Sequence, residues 1–299
     1  MTMTPNPALK KLGLANNDRV AIIHTDDIGM CQASVEAFAD LNEVGIISSG
    51  AVMVPCPWFL HAASYARQHP RADLGVHLTL TSEWKNYRWG PVSTRDPASG
   101  MVDEEGYFYH LTEPAQKHGD PRAVELELNT QVEMAHKAGI VPTHIDTHMG
   151  CVAHPKFMGI YLQLGLKFHI PPMIPRLDEA GWQAAGLEPE FAGSAVSLIQ
   201  QVESSGLPLL DAIGGMHLDT VENRLERTMQ AFSDLRPGIT HFIIHPAKDT
   251  PELRAITPDW RCRAADFNNF MKEDLRKHIQ KIGVHVIGYR ALKELMPAA

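Results

Sequence analysis

Cysteine is scarce in this chain, and the few cysteines present do not form a recognisable pair. The 299 residues contain four, Cys31, Cys56, Cys151 and Cys262, with wide and irregular spacings and no CxxC motif. A chain of this length can bury a sizeable core and needs no disulfide framework. We therefore expect four free thiols in a reducing compartment.

Long apolar runs and an excess of positive charge are also absent. No segment approaches the roughly 20 apolar residues that a membrane span requires, and residues 1–17 lack the apolar middle of a signal peptide. The 27 Lys and Arg residues are outnumbered by 35 Asp and Glu residues, so nothing suggests an electrostatic footprint for nucleic acid or an acidic membrane. We expect a cytoplasmic protein that binds neither.

Nucleotide-binding motifs and internal repeats are missing as well. The sequence has no GxGxxG fingerprint and no Walker A loop, which would mark a dinucleotide or nucleoside triphosphate site. Its apolar and charged fractions, 44% and 21%, are ordinary for a globular protein. Because no shift in composition marks a boundary, we predict one domain over residues 1–299.

What the sequence does contain is a regular alternation of strand and helix patterns. This alternation predicts parallel strands joined by right-handed helical crossovers. An open doubly wound sheet and a closed (β/α) barrel both fit it. The predicted strands are 19–24, 46–54, 74–80, 142–146, 167–174, 238–245 and 284–288, with 209–214 as a short strand or loop. The predicted helices are 34–44, 58–68, 123–138, 157–166, 222–235 and 266–281, with 181–206 as a helix with interruptions.

A long segment at about residues 84–118 interrupts this rhythm. It is rich in proline, glycine and aromatic residues. We interpret it as an excursion over the mouth of the sheet or barrel, where long ordered loops are often functional.

Acidic and imidazole side chains fall at the ends of several predicted strands. Residues at the carboxyl ends of parallel barrel strands converge on one face. Asp27, His77 and His148 could therefore meet there as a divalent-metal site with open positions. Asp26 is then left as a base for a water molecule, and His245 could protonate a leaving amine. These are the parts needed for amide hydrolysis.

Each of these residues also has an ordinary structural interpretation. An Asp-Asp pair after a strand often caps a helix. His77 could be a satisfied core histidine, His144 and His148 could be solvated, and His245 could merely end a strand. Four separate strand ends that all carry such groups nevertheless favour a functional site.

Five short motifs resemble those of the YdjC-like carbohydrate deacetylases, the group that includes chitooligosaccharide deacetylase and hopanoid-biosynthesis-associated proteins. They occur in the family order and span roughly residues 20–290. Residues 24–29 (HTDDIG) resemble NADDFG, 45–49 (GIISS) resemble GIVTST, 75–80 (GVHLTL) resemble GLHLTL, 142–148 (PTHIDTH) resemble PTHIDSH, and 244–247 (IHPA) resemble CHPG.

The resemblance implies an α/β fold, a (β/α) barrel that is TIM-barrel-like but irregular, with about seven strands. It implies one divalent metal ion, Mg²⁺ or Zn²⁺, held by Asp27, His77 and His148, with Asp26 as base and His245 as acid. The expected activity is removal of the acetyl group from a small N-acetylated sugar or oligosaccharide.

Further residues are expected on the substrate side of the site. Arg176 resembles a family arginine that would orient the base or the substrate, and its alternative is a surface ion pair. His144 and Asp146 are placed with it, and it stays open whether they touch the metal or support its ligands. The aromatic residues of the excursion either stack on sugar rings or form the loop's own core: Trp84, Tyr87, Trp89, Tyr107, Phe108 and Tyr109.

Departures from the family motifs affect the pocket rather than the expected ligands. Thr25, Ile28 and Ala247 replace alanine, phenylalanine and glycine, and Met149 and Gly150 follow His148 where relatives often carry histidines. Two alternatives therefore stay open: a metal-dependent hydrolase of a non-sugar amide or ester, and a non-catalytic binding protein. The sequence also leaves the oligomeric state open, with a homodimer as one option.

Overall fold

A computed structural model describes residues 5–297 and shows an α/β fold. Apart from the first, its strands are short. They are β1 (Arg19–Ile28), β2 (Ser49–Val52), β3 (Leu74–Leu78), β4 (Ile145–Thr147), β5 (Ala212–Gly215), β6 (Gly238–Ile244) and β7 (Val284–Val286).

Helices connect nearly all of these strands. They are α1 (Pro7–Lys11), α2 (Gln32–Val44), α3 (Phe59–Gln68), α4 (Thr112–His118), α5 (Pro121–Lys137), α6 (Pro155–Phe168), α7 (Glu179–Ala184), α8 (Pro189–Ser204), α9 (Arg224–Ser233), α10 (Pro251–Ile256), α11 (Trp260–Phe270), α12 (Glu273–Lys281) and α13 (Tyr289–Lys293). No helix within residues 5–297 is long and apolar enough to cross a membrane.

The strands form one parallel, curled sheet. Its order is β4-β3-β2-β1-β6-β5, and β7 pairs with the first residues of β1. Isolated bridges from Ile145 to Pro172 and from Pro175 to Leu210 link the two edges of this sheet. The curled parallel sheet confirms the predicted irregular (β/α) barrel.

Strand β1 is buried on both faces, which explains its nearly continuous apolar sequence. Ala21 and Ile23 pack in the main core with the surrounding helices, whereas Val20 and Ile22 join a smaller cluster with α1 and α13. Because successive side chains of a strand alternate between faces, His24 lies on the same side as Val20 and Ile22. The sequence of β1 thus directs an imidazole into the interior of the barrel.

One predicted strand is wrong. Residues 167–174 were expected to be extended, but α6 continues to Phe168 and only isolated bridges follow. The physical reason is the run that contains Pro171, Pro172 and Pro175, since proline has no N–H to donate to a ladder. The predicted helix 266–281 is likewise divided between α11 and α12.

The excursion at residues 84–118 is ordered around its own aromatic side chains. Trp89 is 3% exposed and Phe108 is fully buried. The indole N–H of Trp89 donates to the carbonyl of Thr81 at 2.8 Å. These contacts favour the interpretation of the aromatic residues as a loop core. The four cysteines are buried and free.

Candidate metal centre and active site

The barrel register brings the predicted site residues to one end of the sheet. His77 pairs with Asp146 across β3 and β4, and His148 directly follows β4. Asp27 lies at an irregularity in the pairing of β1 with β2 and has φ of 60°. Aspartate is one of the non-glycine residues that tolerate this left-handed backbone. The local bulge re-aims the side chain of Asp27 at the end of the strand.

Asp27, His77 and His148 form a compact, buried group. Oδ1 of Asp27 is 3.2 Å from Nδ1 of His148 and 3.5 Å from Nε2 of His77. One potential ligand atom from each residue lies within 4.8 Å of the other two. In the part of the chain that the structure describes, no donor is aligned to hydrogen-bond Oδ1. A divalent cation fits this set, because Zn²⁺ or Mg²⁺ lies about 2.0–2.2 Å from such ligands.

A carboxylate lies close behind each imidazole. Nδ1 of His77 is 2.9 Å from Oδ1 of Asp146, and Nε2 of His148 is 3.0 Å from Oε2 of Glu83. Each contact leaves the opposite ring nitrogen facing Asp27. Carboxylate partners of this kind fix the ring orientation of metal-ligating histidines. The position of Asp146 is therefore that of a support for His77.

Arg263 binds the remaining oxygen of Asp27. Its Nη1 donates to Oδ2 of Asp27 at 2.7 Å, and its Nε donates to Asp259 at 2.7 Å. Burial alone would raise the pKa of Asp27, but the charge of Arg263 and the nearby imidazoles of His148 and His77 hold it well below its usual range. Asp27 is therefore ionised, and its Oδ1 is free to bind a cation.

Sequence reasoning missed Arg263 and Glu83. Arg263 lies in α11, 236 positions from Asp27, and Glu83 lies at the start of the irregular segment after β3. Neither belongs to a strand end, and neither occurs in a motif that predicted the site. Their roles follow only from the three-dimensional arrangement.

Asp26 lies directly beside this group. Its Oδ1 is 2.7 Å from Nδ1 of His24. Its Oδ2 is 3.8 Å from Nε2 of His77 and 3.9 Å from Nε2 of His245. Burial would raise the pKa of Asp26, but the charge of His77 and the hydrogen bond from His24 lower it below its ordinary value. Asp26 is therefore ionised and can accept a proton.

His245 faces Asp26 from the end of β6. Its side chain is 21% exposed, and Nδ1 has no hydrogen-bond partner within the described chain. Its backbone N–H donates to Oδ2 of Asp266 at 3.1 Å, which fixes the start of the following loop. Burial lowers the pKa of His245, so this imidazole gives up a proton readily.

The structure does not bring Arg176 to this group. Nη1 of Arg176 is 3.0 Å from Oδ1 of Asp211, and Glu203 also pairs with the guanidinium. The other oxygen of Asp211 accepts from the backbone N–H of Ile239, the second residue of β6. His245 lies six residues further along, about 20 Å away at the rise of a strand. Arg176 is thus a buried ion-pair residue distant from Asp26, which corrects the expectation that it orients the base or substrate.

His144 lies deeper in the barrel than its predicted partners. Its Nε2 is 2.8 Å from Nε2 of His24, and its ring stacks on Tyr289 with centroids 3.9 Å apart. The residue is fully buried. This position is behind Asp26 rather than at the open side of the site.

Comparison with known proteins shows the family of this chain. The sequence profile of YdjC-like proteins matches residues 20–281. The chain belongs to the YdjC-like family. A carbohydrate deacetylase of Thermus thermophilus is 32% identical over 295 residues, which cover 96% of this chain and 98% of that protein.

Two further comparisons extend over most of the chain. A carbohydrate deacetylase of Thermoanaerobacter pseudethanolicus is 22% identical, with 91% of this chain and 98% of that protein covered. A crystal structure of a protein from Enterococcus faecalis V583, for which cellobiose-phosphate cleavage has been suggested, superposes with a TM-score of 0.74. At 20% identity, covering 92% of this chain and 99% of the other, this structural similarity supports the fold.

Proposed function

We propose that this YdjC-like protein is a metal-dependent carbohydrate deacetylase that hydrolyses the N-acetyl amide of a small acetylated sugar. The observation that carries the proposal is the buried oxygen of Asp27, which faces two imidazole nitrogens and has no aligned donor in the described chain. Asp26, ionised and adjacent, supplies a second carboxylate for proton transfer. The two relatives named carbohydrate deacetylases support the substrate class.

The residues divide the work of amide hydrolysis between them. Asp27, His77 and His148 would hold one divalent ion, Mg²⁺ or Zn²⁺, which when bound polarises the acetyl carbonyl and lowers the pKa of water. Asp26 accepts the proton of the attacking water through Oδ2. His245, 3.9 Å from that oxygen, takes up this proton and passes it to the leaving amine as the general acid. The products are acetate and the free amino sugar.

The experiment that tests the proposal combines metal analysis with acetate release. We expect about one equivalent of metal in protein purified without chelators, and acetate release from N-acetylated sugars. Asp26→Asn is expected to keep the metal and lose activity by a factor of about 10²–10⁴. Full activity in Asp26→Asn would reject this residue as the base.

A substrate panel separates the sugar from other acyl substrates. Turnover of non-sugar amides or esters without turnover of acetylated sugars would replace the deacetylase by a related metal-dependent hydrolase. Metal binding without turnover of any of them would favour a binding protein.

The proposal also includes the location, the domain organisation and the oligomeric state of the protein. A cytoplasmic location is supported by the four free, buried cysteines, since free thiols persist in reducing compartments. The single domain and the homodimer stay predictions from the sequence.

A further inference from the structure

A buried chain of hydrogen bonds runs from Asp26 into the interior of the barrel. Nδ1 of His24 is 2.7 Å from Oδ1 of Asp26, and Nε2 of His24 is 2.8 Å from Nε2 of His144. Nδ1 of His144 is 3.0 Å from Oγ1 of Thr143, whose hydroxyl donates to Oδ1 of Asp73 at 2.6 Å. The two histidines and Thr143 are 0–1% exposed. Their hydrogens must therefore be shared among these groups.

The far end of the chain fixes the direction of the first hydrogen bond. Oδ1 of Asp73 also accepts from the hydroxyl of Ser49 at 2.9 Å, and Oδ2 accepts from the backbone N–H of Arg290 at 2.7 Å. An ionised carboxylate is an acceptor only. The single hydroxyl hydrogen of Thr143 is therefore used on Asp73, and Thr143 can only accept from His144.

The hydrogens available along the chain determine which ring nitrogens of His144 and His24 are protonated. Because Thr143 accepts, His144 carries its hydrogen on Nδ1. Burial, followed by the charges of His24 and His241, lowers the pKa of His144 well below its usual value, so this ring is neutral and its Nε2 is bare. His24 must then donate from Nε2. It must also donate from Nδ1, because ionised Asp26 is an acceptor only.

We propose that His24 is a buried imidazolium that donates from both ring nitrogens and positions Asp26 for proton transfer. Its meaning for catalysis rests on the deacetylase function proposed above. His24 is a positioning residue, since it acts through the carboxylate of Asp26. A charge-assisted hydrogen bond to Oδ1 is stronger than a neutral one, and it leaves Oδ2 turned towards His77 and His245.

The groups that surround His24 favour its charge. Carboxylates lie on two sides, Asp26 on β1 and Asp146 on β4, whose Oδ2 is 3.7 Å from Nε2 of His24. His241 on β6 packs with its ring centroid 4.4 Å away. Burial and the charge of His24 lower the pKa of His241 well below its usual value, so it adds no second positive charge.

Tyr289 completes the enclosure from α13. Its ring meets the ring of His24 edge-on at 6.0 Å, and its hydroxyl oxygen is 2.8 Å from Nδ1 of His241. Burial raises the pKa of Tyr289 well above its usual value. The phenol is therefore neutral and adds no charge beside His24.

Nitrogen NMR of ¹⁵N-histidine-labelled protein tests the proposal directly. At pH 8 a free imidazole, with a pKa of about 6.5, is almost wholly neutral. We expect both ring nitrogens of His24 to be protonated at that pH, while His144 and His241 each keep one bare nitrogen. A bare nitrogen on His24 at pH 8 in the wild-type protein would overturn the proposal, whatever the enzyme hydrolyses.

A matched pair of variants tests the hydrogen count. Thr143→Val removes the hydroxyl with little change in shape, so His144 can move its hydrogen to Nε2 and donate to His24. We expect His24 to become neutral at pH 8 in this variant and to stay doubly protonated in Thr143→Ser, which keeps the hydroxyl. An unchanged His24 spectrum in a folded Thr143→Val protein would contradict the chain as described.

Kinetics then show whether the charge of His24 serves the reaction. In Thr143→Val we expect kcat to fall by about 10–100-fold, as for other outer supports of a site, with KM nearly unchanged and with recovery in Thr143→Ser. Neutral His24 with undiminished kcat would reject its positioning role. Failure of the wild-type protein to release acetate would instead reject the proposed function and leave the NMR result standing.

Discussion

At the scale of single residues, the two ring nitrogens of each imidazole in the site contact different partners. His77 and His148 each turn one nitrogen to Asp27 and the other to a carboxylate, Asp146 or Glu83. A carboxylate behind a ring fixes its tautomer and raises its basicity as a ligand. Glu83 is the more accessible of the two supports, with a side chain 19% exposed, and can be changed without opening the core.

Removal of Glu83 should therefore weaken metal binding without unfolding the protein. We expect Glu83→Ala to lower the affinity for Zn²⁺ by about 10–100-fold, because Nε2 of His148 loses its partner. Glu83→Gln keeps a hydrogen-bond acceptor and should lose less. Isothermal titration calorimetry of metal-free protein measures the difference.

The matched control for this prediction lies in the same irregular segment. Glu105 pairs with Arg88 through a side chain that is 72% exposed, and exposed pairs contribute little. Glu105→Ala should bind the metal as the wild-type protein does. Equal affinities for Glu83→Ala and Glu105→Ala would show that Glu83 does not support the site.

Residue types at strand ends allowed part of this site to be predicted. Asp26, Asp27, His77, His148 and His245 were identifiable because parallel strands deliver their carboxyl ends to one face. The structure brings these five together.

The supports were not identifiable in the same way. Glu83 and Arg263 come from an irregular segment and a helix, where no period relates them to the strands. The predicted role of Arg176 failed for a related reason. Its position just after a proline-rich stretch does not reveal an ion pair with Asp211. Partners of a ligand depend on packing, which local sequence does not encode.

At the scale of elements, β3 needs a glycine at Gly75, because the ring of His144 fills the space beside it. A Cβ atom built on Gly75 would lie 2.5–2.6 Å from three ring atoms of His144, a separation that real contacts do not tolerate. The ring of His144 is held on its other side by Tyr289. Gly75 therefore makes the space in which the buried histidine chain is assembled.

Gly75→Ala should be destabilising for this reason. Overpacking of a filled core typically costs about 1–3 kcal/mol, and the displaced ring of His144 would also lose its contact with His24. Urea denaturation followed by circular dichroism measures the change in the free energy of unfolding.

A glycine-to-alanine substitution at an uncrowded site should instead raise the free energy of unfolding. Gly159 lies within α6, and a Cβ atom there meets nothing within 4 Å. Gly159→Ala should stabilise the fold by about 0.4–1 kcal/mol, because alanine restricts the unfolded chain and suits a helix. Destabilisation of both variants by equal amounts would contradict the steric explanation.

The order of the elements was predictable, but several of their ends were not. Buried strands such as β1 and β6 were evident from short β-branched runs next to polar residues. The break between α11 and α12 falls at Met271 and Lys272, where neither glycine nor proline marks an end. The sequence pattern therefore predicted one helix where tertiary packing produces two.

At the scale of the whole molecule, the fold concentrates negative charge at one end of the barrel. Asp26, Asp27, Asp146 and Glu83 meet there, and Arg263 is paired with Asp27. Without a metal, protons on imidazoles must balance the remaining carboxylates. Burial would lower the pKa of His148, but the charges of Glu83 and Asp27 raise it to about 9. A metal bound as proposed would therefore compete with a proton for the same ring.

This competition gives metal binding a definite dependence on pH. A histidine whose pKa rises from 6.5 to about 9 on folding stabilises the metal-free fold below pH 6.5 and loses that contribution as the pH rises through about 9. A ligand imidazole must be neutral. We therefore expect binding at pH 7 to release a proton, and the apparent affinity to rise by up to about tenfold per pH unit per proton released up to pH 9.

Calorimetric titration of metal-free protein in buffers of different ionisation enthalpy counts the protons released. At pH 7 we expect one from His148 and a second from His77, whose pKa Asp146 and Asp26 raise well above its usual value against the effect of burial. His245→Gln should release the same number, because burial already lowers the pKa of His245. Binding without proton release at pH 7 would mean that both imidazoles are already neutral in the metal-free protein. The carboxylates behind them would then not raise the pKa values of these rings above 7.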